Sequence, residues 1–395
     1  MTRTNTSSEG RAIIVGGSLA GLFTGTLLRS QGWTVDIYER SPHSLSSRGG
    51  GIVLQPEIIL AFQQAGVDFE FPFGVVVNER LYLEPDGSIA QRMLMRQTLT
   101  SWNLIYEALY RHFPVEHYHP GMPVVDISQD GALVTAVFAD GSRESADLLV
   151  GADGARSTVR QHLLPDYAPS YAGYVAYRGL VDESELAALD EKTARLLTER
   201  FVFYQFPNSH MLQYLVPGEE GSLVPGDRRF NWVWYVNHTA DELPTLLTDK
   251  TGQRRDSIPP GMIAPAVEQQ MRDYANQMLP PPLQTLVAAT QEPFIQPILD
   301  LGVPQMAFGR VALVGDAAFV PRPHTAAGVS KGASNAIALA DALASHDHDV
   351  TAALQNWEEE QLRLGLYLWR KGEALGERSQ FMYGKGRHTG TPVVA

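Results

Sequence analysis

The sequence predicts an α/β protein: a Rossmann-like domain on a parallel sheet, an inserted and mainly antiparallel sheet domain, and C-terminal helices. Residues 12–39 follow the order strand, glycine-rich turn, helix and strand, which is one βαβ unit. Residues 171–235 are rich in aromatic side chains and alternate in polarity, as antiparallel strands do. Residues 351–376 have a helical pattern with charged faces.

The βαβ unit begins with a short apolar strand, Ala12–Val15, which ends in a turn of small residues. Apolar residues recur at helical spacing after Leu19, and Gly32 stands where a helix C-terminal cap belongs. A second strand, Thr34–Tyr38, ends at Glu39. This order places a helix N-terminus at the carboxyl end of a strand, where the phosphates of a nucleotide bind in such units.

Periodicity predicts the remaining elements. Helices are predicted near Leu104–Leu109, over Ile258–Gln291, from Val329 to Ala344 and over Thr351–Gly376, and strands over Leu133–Phe138, Asp147–Val150, His210–Val216, Arg229–Val236 and Arg310–Val314. Arg48–Gly51 is expected to be a loop, and residues 384–395 a loose tail. We assign residues 1–71, 99–170 and 297–350 to the nucleotide-binding domain, 72–98 and 171–296 to the inserted sheet domain, and 351–395 to a C-terminal helix and tail.

Composition excludes several classes of protein. The 395-residue chain has a formal net charge of −13, which disfavours nucleic acid and membrane surfaces as partners. It has no cysteine, so disulfides, zinc–thiolate sites, iron–sulfur clusters and thiol catalysis are excluded, and no metal site is expected. Residues 1–11 are polar and no apolar run is long enough to cross a membrane, so we expect a cytoplasmic protein.

The first chemical motif is the turn after the first strand. It consists of Gly16, Gly17, Ser18, Leu19, Ala20 and Gly21. Small residues there let a pyrophosphate approach the N–H groups at the helix N-terminus. Glu39, 18 residues beyond Gly21, is placed to accept hydrogen bonds from ribose hydroxyls, with Arg40 beside it. The carboxylate favours FAD or NAD over NADP; the alternative is a glycine-rich turn that binds nothing.

Two further motifs follow predicted strands. Asp153 and Gly154 come after Asp147–Val150, and Gly315 and Asp316 end Arg310–Val314. An aspartate at such a strand end can meet a sugar-alcohol hydroxyl of a flavin cofactor. The helix that begins near Gly328, after Pro321 and Pro323, can direct its N-terminus at the flavin pyrimidine ring. For either motif alone, ordinary turn chemistry is the better explanation of the aspartate, whereas the two motifs together, after a dinucleotide-binding unit, favour the cofactor.

The three motifs, in this order and spacing, resemble the FAD-dependent aromatic hydroxylases of the p-hydroxybenzoate hydroxylase superfamily over essentially the whole chain. Four further segments resemble the 2,6-dihydroxypyridine 3-monooxygenase type: Gly16–Ser18, Tyr177–Gly179, Asn231–Tyr235 and Arg322–His324. The resemblance implies a domain of the glutathione-reductase type with FAD, and NADH or NADPH as a transient co-substrate. It implies that O2 and a small, already hydroxylated aromatic or N-heteroaromatic ring react through a C4a-hydroperoxyflavin. A homodimer is one candidate for the oligomeric state, which stays open.

The resemblance also implies individual contacts. Arg48, in the glycine-rich loop Ser47–Ile52, would contact the cofactor. At Ser101 the family usually has an arginine, so one phosphate contact is missing, and Arg96 is a candidate replacement. Pro323 is expected beside both the flavin and the substrate.

Hydroxylation requires a group that assists deprotonation of the substrate hydroxyl. The candidates are His324, His210, Tyr204 and Tyr214. Arg178 could hold a substrate anion or pair with an acid, and Trp232 and Trp234 either line the substrate pocket or pack in the core.

Three alternatives stay open at this point. One is a flavin oxidase, and another is a flavin-dependent halogenase, whose Trp-x-Trp-x-Ile-Pro motif is incomplete here because Val236 and Asn237 replace its last two residues. The third is a flavin-binding sensor without enzymatic activity. An aromatic-rich second domain favours an enzyme with a small-molecule pocket.

Overall fold

The structure is a computed structural model that describes residues 10–45, 50–186, 189–347 and 349–382. The strands in these ranges are β1 (Arg11–Val15), β2 (Thr34–Glu39), β3 (Gly51–Val53), β4 (Val75–Leu83), β5 (Ile89–Ser101), β6 (Tyr118–Pro120), β7 (Val124–Gln129), β8 (Val134–Phe138), β9 (Arg143–Ala146), β10 (Leu148–Gly151), β11 (Ser170–Asp182), β12 (Phe201–Phe206), β13 (Ser209–Val216), β14 (Arg229–Asn237), β15 (Phe294–Gly302), β16 (Ala307–Phe308), β17 (Val311–Leu313) and β18 (Phe319–Val320). The α-helices are α1 (Leu19–Ser30), α2 (Pro56–Ala65), α3 (Trp102–His112), α4 (Thr158–Leu163), α5 (Glu191–Leu197), α6 (Leu243–Leu246), α7 (Pro265–Met278), α8 (Pro281–Ala289), α9 (Gly328–Ser345) and α10 (Val350–Gln380).

The first sheet is the parallel one, with strand order β16-β17-β10-β1-β2-β6. All neighbours are parallel except β16 and β17. The central strand β1 is apolar and buried, and α1 and α9 contribute to the same core. Because parallel strands present their carboxyl ends at one edge, the turns after β1, β10 and β17 come together there. The predicted Rossmann-like fold class is confirmed.

The second sheet has nine strands in the order β18-β15-β11-β14-β13-β12-β4-β5-β3 and is mainly antiparallel, the pair β4–β12 being parallel. One of its faces packs against α7 and α8 in a second hydrophobic core. A separate three-stranded sheet, β7-β8-β9, holds the predicted strand Leu133–Phe138. The inserted antiparallel sheet is therefore also confirmed.

Two local expectations were wrong. The predicted helix over Ile258–Gln291 begins only at Pro265 and is divided into α7 and α8 at Pro280–Pro281, because proline is favoured at a helix start and disrupts its interior. Ile258 instead forms a β-bridge with Ile295. The predicted loop at Arg48–Gly51 ends in a strand, because Gly51 begins β3 and pairs with Ser101.

The nine-stranded sheet extends beyond the ranges proposed for the inserted domain. It includes β3, β15 and β18, which lie partly or wholly in ranges assigned above to the nucleotide-binding domain. Strands of the two sheets therefore alternate along the chain. The division into domains stays a proposal. Over the ranges that the structure describes, no helix has the length and apolar character needed to cross a membrane.

The long helix α10 packs closely on the segment between β18 and α9. A Cβ atom on Gly372 would lie 2.7 Å from the Arg322 backbone nitrogen, and one on Gly376 would lie 2.7 Å from Arg322 Cδ. Gly365 similarly faces the ring of Phe319, at 2.3 Å from a built Cβ. Glycines on one side of this helix thus allow it to hold the segment that follows β17.

Candidate active site

The turn after β1 is too crowded for larger side chains. A Cβ atom on Gly17 would lie 2.2 Å from the Tyr118 hydroxyl oxygen, and one on Gly21 would lie 1.9 Å from the Gly16 carbonyl oxygen. Gly16 has φ 106°, a conformation that favours glycine. Ser18 precedes α1 without a side-chain cap. The first N–H groups of α1, which begins with Leu19, therefore stay available to a phosphate.

Glu39 closes this turn from the end of β2. Its buried carboxylate accepts hydrogen bonds from the N–H groups of Gly17 and Ser41, both at 2.8 Å. Each carboxylate oxygen has capacity for a further hydrogen bond, which a ribose hydroxyl could donate. Arg40 follows with an exposed side chain. The backbone therefore orients Glu39 independently of a nucleotide.

Asp153 lies at the same edge, after β10. Its Oδ2 accepts hydrogen bonds from the backbone N–H groups of Thr158 at 2.7 Å and Val159 at 3.2 Å, at the start of α4. Its Oδ1 is buried without a hydrogen-bond partner among the described residues, and burial raises the pKa of this carboxyl. Gly154 has φ 79° and open space where a side chain would stand. A buried oxygen without a partner is a place where a ligand hydroxyl could bind.

Sequence reasoning missed Arg160, which joins the second and third motifs. Its fully buried guanidinium donates to the carbonyl oxygens of Ala317 at 3.0 Å, Ala155 at 2.6 Å and Tyr167 at 3.0 Å. Arginine side chains are seldom buried, so the segment Arg156–Arg160 did not by itself indicate this role for Arg160. The two aspartate motifs are therefore held together by a cation between them.

Gly315 and Asp316 form the turn after β17. Gly315 has φ 60°, its N–H donates to Asn335 Oδ1 at 3.0 Å, and a built Cβ would lie 2.7 Å from Ala20 in α1. Asp316 is half exposed and pairs with Lys331 Nζ at 2.9 Å. Lys331 was not predicted; its side chain is 1% exposed and also donates to the Phe319 carbonyl oxygen.

The segment from Pro323 to Gly328 leads from this turn into α9. Pro323 begins a single 3-10 turn, and Ala326 then takes φ 53° before α9 starts at Gly328. Ala327, the residue before the helix, provides no side-chain cap, so the first N–H groups of α9 are free of one.

Two predictions concern Arg48 in the glycine-rich loop and Ser101, where the family usually has an arginine. Arg48 falls outside the described residues, so its contact with the cofactor stays a prediction. Ser101 ends β5 and accepts a hydrogen bond from the Leu104 N–H at 3.1 Å, which caps α3. Arg96 is exposed on β5 and lines a cleft that Lys331 also lines.

The register of the large sheet separates the remaining candidates. Residues directly opposite in antiparallel strands share a face, so the pairs His210–Tyr235, Tyr214–Asn231 and Tyr174–Asn237 belong to one face. This face also contacts Gly50, Gly51 and His324, and we call it the site face. Its polar side chains include Tyr174, Arg178, His210, Tyr214, Asn231 and Tyr235.

Trp232, Trp234 and Tyr204 lie on the other face, which corrects their assignment to the substrate or to catalysis. All three belong to the core that includes residues of α7 and α8. Trp232 Nε1 donates to Thr290 Oγ1 at 2.8 Å, and Trp234 Nε1 donates to Ser209 Oγ at 2.7 Å. Tyr204 pairs with Met211, next to His210 but facing the opposite way. Of the two alternatives for the tryptophans, the core is correct.

Two histidines meet at the site face. The rings of His210 and His324 are stacked with centroids 6.0 Å apart, and Tyr235 lies 4.7 Å from His324. Burial lowers the pKa of His210 to about 4 and, with the nearby His210 and Arg322, lowers the pKa of His324 well below its usual value. Both imidazoles are therefore neutral at pH 7. His210 Nδ1 has no hydrogen-bond partner among the described residues.

A buried network orients His324. Its Nε2 lies 2.9 Å from the Tyr174 hydroxyl, and the Arg322 guanidinium lies over the Tyr174 ring, 5.8 Å from its centroid. Arg322 is held by Asp300 at 2.7 Å and by Glu377 of α10 at 3.3 Å. The direction of the bond between Tyr174 and His324 depends on the imidazole tautomer: with the proton on Nδ1, His324 Nε2 accepts from the Tyr174 hydroxyl.

Arg178 and Asn231 reach the backbone of Gly50 and Gly51 from the site face. Asn231 Oδ1 accepts the Gly51 N–H at 2.8 Å, and Arg178 donates to Gln296 Oε1 at 2.8 Å. Arg178 Nε and Asn231 Nδ2 are buried without partners among the described residues. The site face therefore offers unused donors next to the two histidines.

The tyrosines of the site face are protonated at neutral pH. Burial raises the pKa of Tyr235 to about 12 and raises that of Tyr214 further. A Cβ atom on Gly51 would lie 2.4 Å from the Tyr214 ring, so this tyrosine packs against the start of β3. Both phenols can donate hydrogen bonds but are poor bases. Among the described residues, no group of three or more His, Cys, Asp or Glu side chains could hold a metal ion.

Comparison with known families covers most of the chain. A model described as "FAD binding domain" matches residues 9–170, and one described as "FAD binding domain-like" matches residues 171–300. The 2,6-dihydroxypyridine 3-monooxygenase of Paenarthrobacter nicotinovorans is 34% identical over 388 residues, covering 98% of this chain and 95% of that protein. The 6-hydroxynicotinate 3-monooxygenase of Pseudomonas fluorescens is 27% identical, covering 88% and 87%.

Solved structures give the same picture. The 2,6-dihydroxypyridine-3-hydroxylase from Arthrobacter nicotinovorans matches with a TM-score of 0.89 and 33% identity, over 98% of this chain and 96% of that chain. HpxO of Klebsiella pneumoniae, in complex with FAD and uric acid, matches with a TM-score of 0.75 and 22% identity, over 95% and 90%. The second likeness concerns the fold alone.

Proposed function

Because this chain belongs to the FAD-dependent aromatic-ring monooxygenases, we propose that it hydroxylates an already hydroxylated aromatic or N-heteroaromatic ring. The electrons come from NADH or NADPH and the oxygen from O2. The observation that carries this proposal is the pair of buried, neutral histidines at the site face, beside donors that have no partner among the described residues. Such groups suit a small planar ligand with several ring heteroatoms.

The residues at the edge of the parallel sheet fit FAD. The uncapped start of α1 would receive the pyrophosphate, and Glu39 would accept hydrogen bonds from a ribose. Asp316 and the unpartnered Oδ1 of Asp153 would meet hydroxyls of the cofactor chain, and the start of α9 would face the pyrimidine ring. When bound, FAD takes up a hydride from NAD(P)H and activates O2 for transfer to the ring.

His324 acts as a hydrogen-bond donor in this proposal. In the tautomer that we propose, its Nε2 accepts from the Tyr174 hydroxyl, which leaves the proton on Nδ1 to be donated to a ring oxygen or oxyanion of the substrate. A developing phenolate is stabilised by such a donor in a water-excluded site. The role differs from that of a general base, which requires a free acceptor nitrogen.

His210 is the acceptor of the pair. Its Nδ1 has no partner among the described residues, and burial lowers its pKa to about 4, so the ring is neutral at pH 7. An imidazole of such low basicity accepts a hydrogen bond from a substrate hydroxyl rather than its proton. The two histidines would thus bind one ring from two sides with opposite hydrogen-bonding roles.

The activities of the two relatives named above suggest which substrates to test first. The relatives named above act on dihydroxypyridine and hydroxynicotinate, and both rings carry adjacent oxygen and nitrogen atoms. A ring of this class can accept from His324 and donate to His210. We therefore propose hydroxypyridines as the first substrates to test, with hydroxybenzoates as the alternative class.

The test begins with the purified protein, which should be yellow with one non-covalent FAD per chain. NADH and NADPH consumption is then measured against hydroxypyridines and hydroxybenzoates, with product masses in 18O2. A product heavier by one 18O atom supports the proposal. Hydrogen peroxide without oxygenated product for every ring would indicate an oxidase, a chloride-dependent product a halogenase, and no effect of any ring a sensor; each would contradict it.

A further inference from the structure

We propose that the cleft between β5 and α10 is the docking site for the diphosphate of the reduced nicotinamide dinucleotide. The inference rests on the proposed function, which requires this reductant but does not locate it. The cleft has a volume of about 710 Å³, within the range of small-molecule sites. Its lining residues come from β3, α2, β4, β5, α9 and α10 and from the segment before α9.

Positively charged side chains outnumber negatively charged ones in this cleft. Four cations line it, namely Arg80, Arg96, Lys331 and Lys371, against the single carboxylate of Glu57. The whole chain has a formal net charge of −13, so an anionic dinucleotide is repelled unless local cations hold it. A local excess of positive charge in such a chain therefore favours an anionic ligand.

The four cations differ in their availability. Arg80 is buried, donates to Gln97 Oε1 at 2.7 Å and lies over the rings of Phe201 and Phe203. Lys331 is engaged by Asp316. Arg96 and Lys371, from β5 and α10, are exposed. These two can reach a diphosphate, whereas Arg80 contributes positive charge behind it and the charge of Lys331 is balanced by Asp316.

The cleft lies next to the position proposed for the flavin. Lys331 lines the cleft and also holds Asp316, which is proposed to contact the cofactor chain. Thr325 and Ala327 line the cleft as well, immediately after His324 and before the start of α9. A dinucleotide held by its diphosphate in this cleft is therefore next to the proposed flavin and substrate positions.

The parallel sheet explains why the reductant needs a binding surface of its own. In the described ranges, the parallel sheet has one glycine-rich turn between a strand and a helix of the dinucleotide type, the turn after β1, which FAD would occupy. The reductant therefore requires a surface outside that sheet. The proposed cleft lies at the junction of the nine-stranded sheet with α9 and α10.

The test uses Arg96→Ala, Lys371→Ala and the double variant as holoenzymes. The control is Arg363→Ala, which removes an exposed cation from α10 outside the cleft. Binding of NAD+ and NADP+, which cannot reduce the flavin, is measured by isothermal titration at several salt concentrations. We expect roughly tenfold weaker binding of the preferred nucleotide in the double variant, with a flatter salt dependence. The FAD content of Lys371→Ala and of the control should match that of the unmodified protein, and FAD is measured separately in Arg96→Ala because Arg96 is also the candidate for a flavin phosphate contact.

Three outcomes would overturn the proposal: unchanged affinity in the double variant, equal weakening in Arg363→Ala, or loss of FAD from the cleft variants, which would assign the cleft to the flavin. Photoreduction separates this proposal from the proposed function. Photoreduced enzyme mixed with oxygen and substrate should form the same amount of product in the unmodified protein and in Lys371→Ala. No product from the unmodified protein would contradict the proposed function while leaving the nucleotide affinities interpretable.

Discussion

At the scale of single residues, His324 shows how covalent geometry and hydrogen bonding determine one orientation. The chain has only seven residues between Asp316 and His324, and Pro321 and Pro323 restrict their backbone. The Tyr174 hydroxyl then orients the ring through its hydrogen bond with Nε2. The sequence indicated that His324 lies near the flavin site, but the partner of its ring comes from β11, which no local pattern links to it.

His324→Ala should retain FAD and lose coupling. Without the Nδ1 donor the substrate oxyanion is less stabilised, so NAD(P)H oxidation continues while peroxide replaces hydroxylated product. Loss of one such donor typically reduces the rate of the chemical step by about a hundredfold or more. Product and peroxide yields measure the effect, with the surface variant His162→Ala as control. Unmodified coupling in His324→Ala would remove this residue from the site.

His210 predicts how stability depends on pH. The unfolded chain binds a proton at His210 below its ordinary pKa of 6.5, whereas the folded protein binds it only below about 4. Stability therefore falls as the pH is lowered from 6.5 to 4, by roughly 3 kcal/mol from this residue. His210→Gln should be less sensitive across this window in urea unfolding. Equal slopes in both proteins would show that His210 is accessible to protons in the folded state.

The two cofactor carboxylates offer a matched pair of substitutions. Glu39→Gln and Asp316→Asn keep the side-chain size but remove the charge, and each should weaken FAD binding by roughly 1.5–3 kcal/mol. Equilibrium dialysis of the apoprotein with FAD measures the change. Glu144→Gln, which alters an exposed carboxylate paired with Arg11, serves as control. Unchanged affinity in both variants would contradict the motif assignment.

At the scale of elements, β14 shows what the alternation of side chains along a strand can and cannot predict. Its aromatic residues predict a strand, and alternation predicts two faces, but both faces are buried. Only the pairing with β11 and β13 shows that Trp232 and Trp234 face the helices whereas Asn231 and Tyr235 face the site. The choice between pocket and core therefore depends on contacts far along the chain.

Adjacent substitutions in β14 should separate stability from chemistry. Trp234→Ala opens a cavity in the helix-covered core and should cost about 3–5 kcal/mol of unfolding free energy. Tyr235→Phe should change stability little and alter substrate affinity or coupling, because its hydroxyl belongs to the site face. Urea unfolding and product yield are measured on both. Equal stability of the two variants would contradict the assignment of the faces.

At the scale of the whole molecule, the sequence predicted what is local and missed what is distant. The βαβ unit, the three motifs and the two kinds of sheet follow from short patterns. Arg160 and Lys331 were missed because their partners are carbonyls and a carboxylate brought together only by folding. The contribution of β3 to the large sheet was missed because three residues after glycines carry no strand pattern. Position 48, a predicted cofactor contact, lies outside the described ranges.

The alternation of the two sheets along the chain has a consequence for synthesis on the ribosome. The central strand β1 lies between β2 and β10, and β10 requires β17 at Val311–Leu313 as its other neighbour. The two edge strands of the nine-stranded sheet are β3, early in the chain, and β18, late in the chain, so this sheet also joins distant parts of the sequence. At about 5–20 residues per second, β1 emerges at least 15 seconds before β17. The nascent chain must therefore keep its first strands from pairing wrongly until nearly the whole polypeptide has been made.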